Sequence, residues 1–181
     1  MQKFIILLTG AVIMTVLFNT TRLSYAGKEP FGDADNVAFA EQLWRLMEDI
    51  NLVGDSARQD KPYIGTHPHG AVLETLADTL TIEGHKGEVL VKRGYGGAGV
   101  TTAAVSNNRE KFIRDITVMF KRKKGYDANN QDWFWAKFSP DGKLESNPRG
   151  RKLAGRVAKG KAKGCIACHE GAPGGDYLFV K

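Results

Sequence analysis

Apolar side chains recur along this chain in two rhythms. Val37, Ala40, Leu43, Trp44, Met47 and Ile50 stand three or four apart. That spacing puts them on one face and predicts an amphipathic helix running to about Ile50. Asp33, Asp35 or Asn36 can cap its first turn. Met47 could ligate a metal in principle, but a methionine on such a stripe reads first as core. Residues 51–70 are polar, with Pro62, Pro68 and three glycines, and read as a long connection. Beyond them the rhythm shortens to two. Strands are predicted over residues 71–76, 87–95, 100–105, 114–122 and 132–138, with a glycine-rich turn at 96–99 and the turn Ser139-Pro140-Asp141-Gly142 after the last. Residues 108–112 could equally start a helix. Residues 153–163 read as a helix, with Leu153 and Val157 inward and Lys152, Arg156, Lys159, Lys161 and Lys163 on the polar side. Gly164 would break it, and residues 171–175 form a loop. Consecutive strands at short spacing favour an α+β fold built on an antiparallel sheet. It has an N-terminal helix and a second helix leading toward the C-terminus. An exposed edge of such a sheet could pair across a homodimer.

The start of the chain changes the setting. Met1-Gln2-Lys3 is followed by an almost unbroken apolar run over residues 4–18 and by Ser24-Tyr25-Ala26. This is the pattern of a secretory leader cleaved after about Ala26. The run falls short of the about 20 residues a spanning helix needs. Residues 27–181 are then expected to be one domain, periplasmic or otherwise exported, large enough for its own core. The formal charge is +6, and removing Lys3 and Arg22 leaves +4. Such a charge is poor ground for nucleic-acid binding in an exported protein; it suits steering of an acidic partner.

The chemistry sits near the end, in Cys165-Ile166-Ala167-Cys168-His169. Two cysteines three apart with a histidine directly after the second are the attachment signature of a c-type haem. On a helical turn both thiols share a face and can reach the two vinyl groups of one porphyrin edge. His169 is then placed to give its imidazole to the iron. A structural zinc site would want four protein ligands, and the chain has no third cysteine. A redox dithiol would sit at a strand-to-helix junction in a βαβ setting, which the pattern lacks. One covalent haem c would use both thiols, leaving none for a disulfide. Thr66-His67-Pro68-His69-Gly70 is a second histidine-bearing stretch. One of its imidazoles could bind metal or approach the haem; the blander reading is a solvated surface turn.

Several stretches together resemble the cytochrome P-460 family. They are Gly125-Tyr126-Asp127, the run Asp132-Trp133-Phe134-Trp135-Ala136-Lys137-Phe138, residues 153–160, the motif itself, and Gly174-Gly175-Asp176-Tyr177-Leu178-Phe179. His67-Pro68-His69-Gly70-Ala71-Val72 and Val89-Leu90-Val91-Lys92 are similar to the family's sheet region. The resemblance implies a mainly antiparallel fold with a single haem attached near the C-terminus. It includes hydroxylamine-oxidising enzymes and c-prime-beta cytochromes that bind nitric oxide and carbon monoxide. The enzymatic relatives carry a lysine joined to the porphyrin, whose position Lys92 matches, and a distal carboxylate. That carboxylate should fall near residues 117–120, where this chain has Thr117, Val118, Met119 and Phe120.

Two functions follow. One is an exported monohaem cytochrome that carries electrons to or from a redox partner protein, or binds nitric oxide or carbon monoxide at its iron. The other is an oxidoreductase acting on hydroxylamine or a related nitrogen compound, with Lys92 cross-linked to the haem. The missing acid favours the first, since proton removal needs a positioned base. Solvent, Met119, His67, His69, His85 and Lys92 all stay open as the sixth iron ligand.

Overall fold

The Asp33 carboxylate accepts from the Asn36 amide at 2.8 Å and caps helix α1, Ala34–Asp49. The computed structural model describes residues 29–179, so the leader expected over residues 1–26 lies outside them. Among the described residues no helix is long and apolar enough to cross a membrane. The predicted stripe is the buried face of α1, with Phe39 added to Ala40, Leu43, Trp44 and Met47. Met47 is fully buried in the core, as its place on the stripe implies.

Six strands follow in chain order within one antiparallel sheet: β1 Tyr63–Ile64, β2 Val72–Ile82, β3 His85–Tyr95, β4 Ile113–Lys121, β5 Trp133–Phe138 and β6 Ala154–Gly155. The fold is therefore α+β, as expected. Strands β2 and β3 form one long hairpin closed by Glu83 and Gly84, both at positive φ. That is the pairing of a tight two-residue turn whose twist suits the strands it joins.

Each sheet face has its own cover. Leu76, Val91, Val118, Phe120, Phe134 and Phe138 point toward α1 and form the main core with its stripe. The alternate residues, Thr75, Leu90, Lys92, Thr117, Met119, Trp135 and Lys137, look out from the opposite face. The segment after β6 and the loop between β1 and β2 cover that second face, where Met119, Trp133, Trp135, Val157, Ile166 and Tyr177 make a smaller cluster.

Strand β2 runs on to Ile82, past the residues 71–76 expected, β1 lies within the expected connection, and two predicted elements are not formed. Residues 100–105 are not a strand. Thr101 caps helix α2, Thr102–Asn107, by accepting from the Ala104 amide at 3.0 Å. Strand preference reflects packing on a pleated surface more than an intrinsic backbone choice, and here a cap outweighs it. Asn108 caps the next turn, α3, Arg109–Phe112, so a helix does start there. Residues 153–163 are not a helix either. Ala154 and Gly155 pair with β5, and Gly155, Ala158 and Gly160 all have positive φ, which no right-handed helix accommodates. Leu153 and Val157 are four apart, a spacing that fits two strand periods as well as one helical turn. The C-terminal helix is instead the motif itself, α4, Cys165–His169.

Candidate functional site

Between the second sheet face and α4 lie two adjoining cavities that open to solvent. His169, His69, Lys92, Leu178 and Phe179 line both. Cys165 opens onto the first and Cys168 onto the second. The three residues of the attachment motif therefore straddle the cleft, with the histidine at its division.

His169 is buried, and its Nδ1 donates to the Tyr177 carbonyl at 2.7 Å. A carbonyl only accepts, so the proton is on Nδ1 and the lone pair on Nε2. This is how metal-binding histidines are commonly held: the second nitrogen anchored to backbone, the first left for the metal. Burial holds the imidazole below its usual pKa, with Lys92 adding to the effect and the Tyr177 bond opposing it. Trp135 and Phe179 stand edge-on to the ring, with centroids 4.8 and 5.3 Å away.

The thiols are unpaired with one another. Burial pushes Cys165 up to about 11, so it is a thiol at neutral pH. Reactive redox cysteines are displaced the other way, which argues against a dithiol switch. Among the described residues no group of three or more His, Cys, Asp or Glu could hold a metal ion together. Trp135 lines the first cavity, and its indole Nε1 is buried without an acceptor. A cleft with apolar walls, two free thiols, one oriented imidazole and an unanswered donor fits a porphyrin. The donor suits a carboxylate that such a group carries.

Lys92 reaches this cleft. It is half-buried, and its Nζ donates to the Phe179 carbonyl at 3.2 Å. Burial lowers its pKa, against an opposite pull from Cys168. In the register it stands between Thr75 and Thr117.

His69 is not the solvated turn residue of the blander reading. It is half-buried in the cleft, and burial, with Lys92, His169, Lys137 and His67 adding, pulls it down to about 4. The loop carrying it is pressed onto the sheet at Gly94. A Cβ there would stand 2.1 Å from the His69 carbonyl oxygen and 2.8 Å from Asp115 Oδ1. Gly94→Ala should accordingly cost about 1–3 kcal/mol, as forced overpacking does. An unchanged urea midpoint would show instead that the loop yields freely. His67 is exposed on the rim of the second cavity. His85 is remote, bonded to the Lys121 carbonyl at 3.0 Å beyond the hairpin turn.

Asp115 is the residue the sequence reading passed over. It shares a face with Thr117, two positions earlier, and pairs with Lys137 at 3.2 Å. Lys137 also meets Glu145 at 3.1 Å. Burial works against the Lys137 charge, but the two carboxylates outweigh it and raise its pKa. Period-two counting from Thr117 would have found this acid. Of the expected basic run, Lys159 is held by the buried Asp127, while Lys161 and Lys163 are exposed just ahead of Cys165.

A family model described as cytochrome P460 matches residues 57–180. No curated protein and no solved structure matches the chain.

Proposed function

The chain belongs to the cytochrome P460 family, a family of haem-binding cytochromes, and from that premise we propose that it is an exported c-type monohaem cytochrome. Cys165 and Cys168 hold one haem c through thioether bonds, and His169 is the proximal ligand. When bound, the haem supplies a one-electron iron couple and an axial position for a small ligand. The observation that carries the reading is the His169 tautomer, fixed by the Tyr177 carbonyl so that Nε2 is free to ligate. Trp135, Met119 and Leu90 keep water from the sheet side of the cleft. Lys161 and Lys163 supply positive charge beside the motif, suited to docking an acidic redox partner. Nitric oxide and carbon monoxide are the small uncharged ligands such apolar walls admit.

One observation favours a second reading. Lys92 brings a half-buried amine to the same cleft as Cys168 and His169, as a lysine–haem cross-link in a hydroxylamine-oxidising enzyme would require. The dithionite-reduced spectrum separates the two. An ordinary c-type spectrum, the same in Lys92→Leu, is expected for the cytochrome. A strongly red-shifted Soret band that Lys92→Leu abolishes would establish the enzyme instead.

A further inference from the structure

We propose that His69 is the distal axial ligand of the iron, so that the metal is held between two imidazoles, one from α4 and one from the loop preceding β2. The inference rests on the haem reading above and specifies the coordination that reading leaves open.

The His69 and His169 rings both border the cleft, with centroids 5.9 Å apart and planes at 89°. A metal–imidazole bond is about 2.0 Å long. A ring nitrogen lies about 1.1 Å from the ring centre, given C–N bonds of about 1.33 Å. Two imidazoles on opposite sides of one metal therefore have centroids a little over about 6 Å apart. The observed spacing is close to that value. The spacing also falls in the range of an edge-to-face ring pair, so it is the ligation test below that assigns it to a metal.

Both rings also present the same nitrogen. His169 has its Nδ1 proton on the Tyr177 carbonyl. For His69, Nδ1 lies 3.3 Å from the Thr117 hydroxyl, which itself donates to the Lys92 carbonyl at 3.5 Å. With its own proton so directed, the Thr117 oxygen accepts from Nδ1–H, and the His69 lone pair is on Nε2. His69 and His169 border both cavities, while the two thiols are divided between them. A planar ring centred between the imidazoles would extend into both spaces.

Three of the other candidates make contacts of their own. The Lys92 amine is spent on the Phe179 carbonyl, His85 on the Lys121 carbonyl. Met119 packs into the apolar cluster with Trp133 and Trp135. His69, by contrast, is aimed from a loop whose backbone is seated against Gly94 and closed by the His69 amide on the Thr66 carbonyl at 3.2 Å. An iron held this way has no vacant position. Nitric oxide and carbon monoxide then bind only by displacing His69, and electron transfer is the resident activity.

The test is spectroscopic and uses the full, haem-loaded chain. The ferric protein is expected to be low-spin, with the strongly anisotropic paramagnetic resonance signal of crossed imidazole planes. His69→Ala should turn it high-spin, and imidazole added in solution should restore the low-spin form. His69→Met, which keeps a ligand on the same loop, should stay six-coordinate and gain a sulfur-to-iron absorption. Carbon monoxide should bind ferrous His69→Ala about tenfold faster or more, because a closed position no longer has to open first. A high-spin ferric wild type would overturn the assignment, as would a His69→Ala protein that stays low-spin without imidazole. Acid–acetone treatment of the same samples reports separately on covalent attachment. Pigment lost there refutes the haem c reading, while axial ligation is still read from the spectra.

Discussion

A protein carrying both Cys165→Ser and Cys168→Ser is expected to show no haem mass on its polypeptide and to lose all pigment to acid–acetone. The wild type should keep both. The consequence extends beyond colour, because the group sits where the fold is thinnest. Among the described residues, twenty buried apolar side chains form the core under α1, whereas six form the cluster on the cleft side. The helix that bears the thiols is five residues long, too short to persist by itself. What anchors it otherwise is modest: Ile166 in the small cluster, the His169–Tyr177 bond and the Trp133 indole donating to the Asp176 carbonyl at 3.1 Å. A group bound only by the folded state stabilises it by mass action, and a tethered one does so without dissociating. In the double variant, limited proteolysis should therefore cut first between β6 and the C-terminus, with α1 and the sheet resisting. Equal resistance of the two proteins would show that the C-terminal segment folds without its haem. Retained covalent pigment would refute the attachment outright.

The parts of this molecule legible in the sequence are those decided by neighbours close along the chain. The α1 stripe needs only 3.6-residue spacing and a cap. The haem motif needs only five consecutive residues. Strands β3, β4 and β5 alternate because one face meets α1 and the other meets the cleft. Where local signals conflict, the reading fails. Thr and Val over residues 100–105 suggest a strand until Thr101 is recognised as a cap. Leu153 and Val157 are compatible with both periods, and positive φ at Ala158 as well as at two glycines decides between them. The site itself shows the deeper limit. His69 and His169 are a hundred residues apart in the chain, and their 5.9 Å approach exists only through the pairing of β2, β3 and β4. Likewise, the search for a distal acid stopped at Thr117 because register was unknown, although Asp115 lies one pleat away on the same face. There it pairs with Lys137 at 3.2 Å.

That register depends on a buried charge cluster, and Glu74→Ala is expected to cost about 3–5 kcal/mol of stability, the usual result of stripping a buried ion of its partner. Glu74 is fully buried on the α1 side of β2. One carboxylate oxygen meets Arg109 Nη2 at 2.7 Å; the other takes the Tyr95 hydroxyl and lies 3.5 Å from Arg93 Nη1. Burial, and then Glu74, push the Tyr95 phenol well above its ordinary range, so it is a hydroxyl that donates. Arg93 is also buried and is satisfied elsewhere by the Leu52 and Arg58 carbonyls, at 2.7 and 3.0 Å. Without Glu74 its charge stays in the core with carbonyl dipoles alone to answer it. Arg109 is partly exposed and can turn to water, so Arg109→Ala should cost clearly less than Glu74→Ala. The cluster also holds the end of the β2–β3 hairpin where Ala71 bonds the Tyr95 carbonyl at 3.0 Å, directly after the loop that carries His69. Urea unfolding of the haem-loaded proteins is the measurement, read as a fall in midpoint at constant slope. A loss below about 1 kcal/mol, within the range of an exposed ion pair, would mean that Arg93 is neutralised by groups other than Glu74.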